Sequence, residues 1–241
     1  MTPDRFGPQT VSRGVAIDQG LRAHFQRVYN VMAGGLVLTG IVAWFTSQSP
    51  AMVSLLMGAQ SNPLMGLLIA FSPMIILMMA FNPAMIRRMS ATMMTLVFFG
   101  FSAYFGWLLS VIFLAYTAES IAKVFFVTSA TFAAMSIWGY TTRRDLSTLS
   151  SFLMMGAVGL LIAMVVNMFL ASSMLSFVIS GAGVLLYTLM VAFDTQNIKE
   201  SYSESYGQEA NAKMAVMGAL SLYLNFIMLF QFLLQFMGNR N

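Results

Sequence analysis

MLSFVISGAGVLLYTLMVAFDT, residues 174–195, runs for twenty positions without a charge and then places one acid, Asp194, a residue before its end. About 20 predominantly apolar residues are what a helix needs to cross the hydrocarbon core of a bilayer. The stretch therefore reads as a transmembrane helix with an aspartate near one end. Runs of the same kind lie, within a few residues, at 26–47, 64–84, 91–113, 119–140, 149–170 and 213–237. The expected fold class is an all-α integral membrane protein, a bundle of seven transmembrane helices.

Composition agrees. Of 241 residues, 59% are hydrophobic and 8% charged, against roughly 25% charged in soluble domains. Seven spans with short connections use nearly the whole chain. This leaves a polar N-terminal tail over 1–24 and a single membrane domain over 25–241. The tail has basic residues and breakers but no short apolar core followed by a small-residue cleavage site, so it reads as retained. Pro50, Pro63 and Pro83 punctuate the early boundaries, and Pro73 is expected to kink the second span, which membrane helices tolerate. AMVSLLMGA (51–59) is apolar but too short to span, and reads as an interfacial or re-entrant segment.

Charge sets the expected orientation. Arg5, Arg13, Arg22 and Arg27 precede or open the first span. Arg87 and Arg88 follow the second, Arg143 and Arg144 the fourth, and Lys199 and Lys213 flank the loop after the sixth. In a seven-span arrangement all lie on one side, whereas the connections at 48–63, 114–118 and 171–173 carry no charge. Lys and Arg are retained in the cytoplasm, so the N-terminus is expected inside and the C-terminus in the periplasm of a bacterial inner membrane. Basic residues dispersed in this way are a topology signal, and no nucleic-acid partner is implied.

Few side chains remain that can carry chemistry. There is no cysteine and one histidine, His24, so a transition-metal site is not expected. Neither a Ser–His pair nor paired intramembrane aspartates occur among the spans, and the chain does not read as an enzyme or as needing a cofactor. A charge at membrane depth faces a cavity or a partner. Glu119 and Lys123, four apart with the acid first, either neutralise one another at the outer end of the fourth span or line a vestibule. Asp194 shares a helical face with Tyr187, Gly183, Ser180 and Ser176, and on the last span Asn225 shares one with Ser221, Gly218 and Met214. If the two stripes face each other, Asp194, Ser221 and Asn225 form one polar centre. The alternatives are a helix-end acid that reaches water and an asparagine that ties two helices together. The 23 methionines are scattered over all faces and read as flexible filling.

TSATFAAMSIWGYTTRRDLS (128–147), YTLMVAFDTQNIKE (187–200) and ALSLYLNFIMLF (219–230) resemble blocks of the Bax inhibitor-1 (TMBIM, YccA-like) family, in the same order and placement. The resemblance implies a bundle with the seventh helix at its centre. It also implies a pH-modulated calcium leak in which an acid on helix six and one on helix seven share a proton. The first acid corresponds to Asp194, and the second falls on Asn225. Two carboxylates held close do not both ionise easily; an Asp/Asn pair lacks that like-charge effect. The resemblance further implies an arginine at the inner end of helix two, here Arg87 or Arg88, latched onto the acid. With Asp194 the sole carboxylate, calcium would meet only a weak transit site. A different function carried by the family is restraint of a membrane-anchored ATP-dependent protease, with residues 1–24 and the acidic loop 200–212 as candidate contacts. Besides lipid, that protease is the expected partner. The oligomeric state is not legible in the sequence.

Overall fold

The computed structural model describes residues 7–60 and 62–240, with side chains from residue 19 onward except at 59, 60 and 63; positions 1–6 of the expected tail, Arg5 among them, lie outside the described residues. The described residues form helices α1 (Gly7–Ser47), α2 (Pro50–Gln60), α3 (Pro63–Ala80), α4 (Pro83–Arg88), α5 (Ala91–Leu109), α6 (Ile112–Ala115), α7 (Ala118–Thr141), α8 (Ser150–Leu170), α9 (Ser173–Ser201) and α10 (Gly207–Met237). There is no strand among them, and one isolated bridge joins Tyr116 to Arg240.

Six of these stretches are long and apolar enough to cross a membrane, and Leu64–Ala80 of α3 is a shorter apolar helix. The helix in the region of the second expected span, 64–84, ends at Ala80. Asn82 caps the next helix by accepting from the Met85 amide, and Pro83 follows it at the first helical position, where its missing N–H is harmless. Within α3, Pro73 has no N–H for the Ile69 carbonyl. The Ser72 hydroxyl donates to that carbonyl instead, at 2.6 Å, and also pairs with the Tyr104 hydroxyl of α5. The segment read as too short to span forms α2, 11 residues long.

Helix starts follow local chemistry. Ser90, Thr117 and Ser172 accept from the amides of Met93, Ser120 and Leu175 and cap α5, α7 and α9, as hydroxyl residues do at this position. The turn from α8 to α9 passes through Ala171 in a left-handed conformation, φ 49°. It is held by Asn167, whose side chain accepts from the Ser172 amide and donates to the Ser176 hydroxyl.

The central element is α10. In its most apolar 18-residue window 72% is buried inside the protein, against 28% for α9 and 6% for α8. Its Tyr223 is fully buried among Phe98, Phe101 and Phe105 of α5. The Tyr223 hydroxyl pairs with Thr39 of α1, which donates on to the Ser102 carbonyl. Around this axis α1, α5 and α10 run in the same direction: Gly34 meets Phe99 and Gly106 meets Thr39, while Gly218 lies on Val28. The first helix begins inside the stretch read as a polar tail, and Phe25, Val28 and Met32 already belong to the core.

Polar side chains tie the helix ends into two groups. At one end Lys199 donates to the Tyr140 carbonyl at 2.8 Å, and Lys213 donates to that of Ile86 at 3.3 Å. Glu209 accepts from the Ala91 amide at 2.7 Å, at the start of α5. Cations on terminal carbonyls and an acid on a terminal amide complement the helix dipoles. At the other end the Asn239 amide donates to Ser120 and the Thr117 amide to the Asn239 carbonyl.

Candidate functional site

Asp194 lies seven residues before the end of α9 and is mostly buried against α10. One carboxylate oxygen, Oδ2, receives two donors from that helix: the Ser221 hydroxyl and, at 2.8 Å, the Asn225 side-chain amide. Ser221 and Asn225 are four apart and thus one above the other on a single face. The two stripes of the sequence do face each other, and Asp194, Ser221 and Asn225 form one polar centre. Oδ1 takes no hydrogen bond among the described residues. Asp194 and Ser221 instead close one end of a cavity of about 240 Å³, lined further by Asn197, Ile198, Ser201 and Met214. Asn197 and Ser201 are exposed, so the cavity leads from the acid to the surface at the basic end.

Toward the other end the seam between α9 and α10 turns apolar. Tyr187, two turns from Asp194, stacks on Phe232 with ring centroids 5.6 Å apart. The Phe232 ring lies directly on Gly183, where any side chain would collide with it. Tyr187 thus packs on α10 away from the acid and does not touch it. The Ser176 hydroxyl accepts from Asn167 at the α8–α9 turn, and Ser180 donates to the Ser176 carbonyl within α9.

The remaining candidates stay apart from this centre. Arg87 and Arg88 end α4 with exposed side chains, and no basic group pairs with Asp194 among the described residues. The latch implied by the resemblance is therefore not formed here. Glu119 and Lys123 are both exposed on the first turns of α7 and make no ion pair with each other. Glu119 already sits in the first turn of its helix, where an acid is favourable without a partner. Nor does any group of three or more His, Asp or Glu among the described residues stand ready to hold a metal ion.

Sequence reading missed the side chain that joins the two most distinctive blocks. Gln196 is buried, and its oxygen accepts from the Leu146 amide at 2.7 Å while its nitrogen donates to the Arg144 carbonyl at 2.9 Å. It thereby fixes the RRDLS segment to α9. Nearby, Gly139 touches the backbone of Ala192, leaving no room for a side chain where α7 and α9 cross. Ser136 of α7 bonds both Thr195 of α9 and Tyr29 of α1. Residues 136–146 and 192–196 are one packed unit.

A family model described as inhibitor of apoptosis-promoting Bax1 (Bax1-I) matches residues 21–241. The chain belongs to that family. Among its Bax1-I relatives, the Escherichia coli K12 inner membrane protein YbhL is 40% identical over 223 residues, 92% of this chain and 93% of YbhL. A protein of Caulobacter vibrioides is 40% identical over 230 residues, covering 93% and 91% of the two chains. One of Rickettsia prowazekii is 39% identical over 231 residues, covering 96% and 95%. The match begins at Leu21 and takes in every element from the core-packing part of α1 to α10, so this Bax1-I chain is a membrane protein of that family along its whole helical bundle.

Proposed function

We propose that this Bax1-I protein is a multi-pass bacterial inner-membrane protein that leaks cations, calcium foremost, past a single-acid gate at Asp194. The observation that carries the reading is the asymmetric carboxylate. Oδ2 is held by Ser221 and Asn225, Oδ1 takes no hydrogen bond among the described residues, and Asp194 lines a cavity whose Asn197 and Ser201 are exposed. A partly buried intramembrane acid with one oxygen unbonded is an expensive feature that a purely structural tie does not require. A hard cation entering the cavity meets this one carboxylate and neutral oxygens, a weak site by the standard of calcium-binding loops. Beyond it Tyr187 and Phe232 stack on one another, and on this reading passage requires them to separate.

The orientation proposed is the basic end toward the cytoplasm, which puts the cavity mouth on that side. Seven crossings are supported by the course of the chain. The first helix and α5 run in the same direction, so the connection from Ser47 to Ala91 returns across the bundle, with α3 as its longest helix.

The test is calcium flux into liposomes holding wild type, Asp194→Asn or Asn225→Asp, between about pH 6 and 8. Wild type is expected to leak with a shallow pH profile. Asp194→Asn should lose most of the flux, and Asn225→Asp should steepen the profile by restoring a second acid. Unchanged flux and profile in Asp194→Asn sink the gate. If wild type leaks no more than empty liposomes, the family's restraint of a membrane-anchored protease takes its place, tested by co-purification with and without residues 1–24.

A further inference from the structure

The single histidine is buried at the basic end of the bundle and takes no part in the Asp194 centre. His24 of α1 is 6% exposed, and its Nε2 has no hydrogen-bond partner, an uncommon state for a buried polar nitrogen. Its imidazole packs on the ring of Tyr202, centroids 5.2 Å apart. Tyr202 follows the last residue of α9, and its hydroxyl rests on Gly20, one turn before His24 on α1. A side chain at position 20 would occupy the place of that hydroxyl. Gly20 and His24 therefore make a seat on α1 into which Tyr202 is pressed. This seat adjoins the Asp194 cavity: Ser201, next to Tyr202, lines it, and Ile198 of the same wall packs with Val28 of α1 around Gly218.

We propose that Tyr202 seated on Gly20 and His24 is an acid-released latch, which holds the end of α9 and the α9–α10 connection on α1 until His24 is protonated. A neutral imidazole fits an aromatic seat. An imidazolium carries a charge and donates from both nitrogens, and at Nε2 that proton finds no acceptor here. The ionisable groups beside it are Arg27, three residues on along α1, and the Tyr202 phenol. On the other elements packed at this end, Lys199 is committed to Tyr140, Glu209 to the Ala91 amide and Lys213 to the Ile86 carbonyl, and Glu200 is exposed. Among the described residues no carboxylate pairs with His24. Attraction of a cation to the Tyr202 ring is smaller than the cost of an unpaired buried ion, so protonation favours the conformation in which water reaches the ring. Unseating Tyr202 loosens the cavity wall at Ser201 and Ile198. Only this last consequence rests on the Asp194 reading.

The chain has no cysteine, so spin labels can be placed on Gln19→Cys of α1 and Ser205→Cys of the connection, both exposed positions. In liposomes the label pair should give one short distance at pH 8 and lose it to a longer, broader population at pH 5. His24→Gln should keep the short distance at both pH values. Gly20→Leu, which fills the seat and leaves the imidazole, should give the broad population already at pH 8. Asp194→Asn should leave the pH response of the distance intact, which separates failure of the gate from failure of the latch. A distance that ignores pH in wild type overturns the proposal. So does the same response in His24→Gln, or a short distance retained by Gly20→Leu.

Discussion

Replacing Gln196 by alanine should detach the RRDLS segment from α9 and lower stability by about 2–4 kcal/mol. The side chain makes two bonds to backbone groups, one to the Leu146 amide and one to the Arg144 carbonyl. They are unequal. Leu146 is 5% exposed, so its amide would lose its acceptor without gaining water, at a cost of about 1–3 kcal/mol. Arg144 is exposed, and its carbonyl can turn to solvent at little cost. Removing the buried amide side chain adds a small cavity of about 1 kcal/mol. Hydrogen bonds between helices inside a bilayer average only about 0.6 kcal/mol. The larger figure here rests on a loop amide having no helical partner to return to. Unfolding with increasing SDS in mixed micelles, followed by circular dichroism, reads the total, and hydrogen exchange at the Leu146 amide reads the mechanism. Gln196→Glu, which keeps the acceptor, should recover about half the loss, and exposed Arg143→Ala should stay within about 0.5 kcal/mol of wild type. A loss below about 0.6 kcal/mol in Gln196→Ala, or a large loss with Leu146 still protected, would refute the reasoning.

Gly139→Val should be more damaging than Gly139→Ala, and both should destabilise by about 1–3 kcal/mol or more, because the opposing atoms are the backbone of Ala192; equal stability of wild type and valine variant in the same assay would contradict the close crossing. Asn167→Leu should loosen the α8–α9 turn by removing its bonds to Ser172 and Ser176, read as faster proteolysis at Ala171 with the rest of the bundle intact. In the loop before α8, the Ser147 side chain and amide bond the Asp145 carboxylate and hold it below the usual aspartate range. Its folded value being lowered, the turn is favoured above the ordinary aspartate pKa and released as pH falls through the lowered one. Exchange of the Ser147 amide should quicken across that window, and Asp145→Asn should abolish the dependence.

The polar centre was legible because helical spacing is rigid: Asp194 has its stripe, Ser221 and Asn225 have theirs, and two faces with polar residues inside lipid have little else to meet. The ends of helices were harder to read. Gln196 looks like any polar residue near a solvated terminus, since nothing in its sequence neighbourhood reveals that a backbone amide 50 residues away lacks an acceptor. The same holds for Glu209 on Ala91 and Lys199 on Tyr140, where the partner is main chain and carries no residue-type signal. Spacing suggested a Glu119–Lys123 pair, but long exposed side chains gain too little from pairing to be held together. Apolarity continues through Phe81, so the sequence does not mark where the second span ends; the cap at Asn82 does. His24 was visible only as a lone histidine. Its burial depends on α1 starting well before the apolar run.

The peripheral α8 packs almost wholly on α9 and keeps most of its surface outward. At 1.5 Å per residue its 21 residues measure about 31 Å, close to the roughly 30 Å hydrocarbon core, whereas the 31 residues of α10 have length to spare beyond it. A thinner or thicker bilayer can leave α10 in register with its protein neighbours, but α8, with α9 as its main neighbour, answers mostly to lipid. Tilt of that one helix is the cheapest relief of hydrophobic mismatch. Through the Asn167 turn, tilt would be handed to α9, the helix that carries Asp194, so membrane thickness has a mechanical route to the acid.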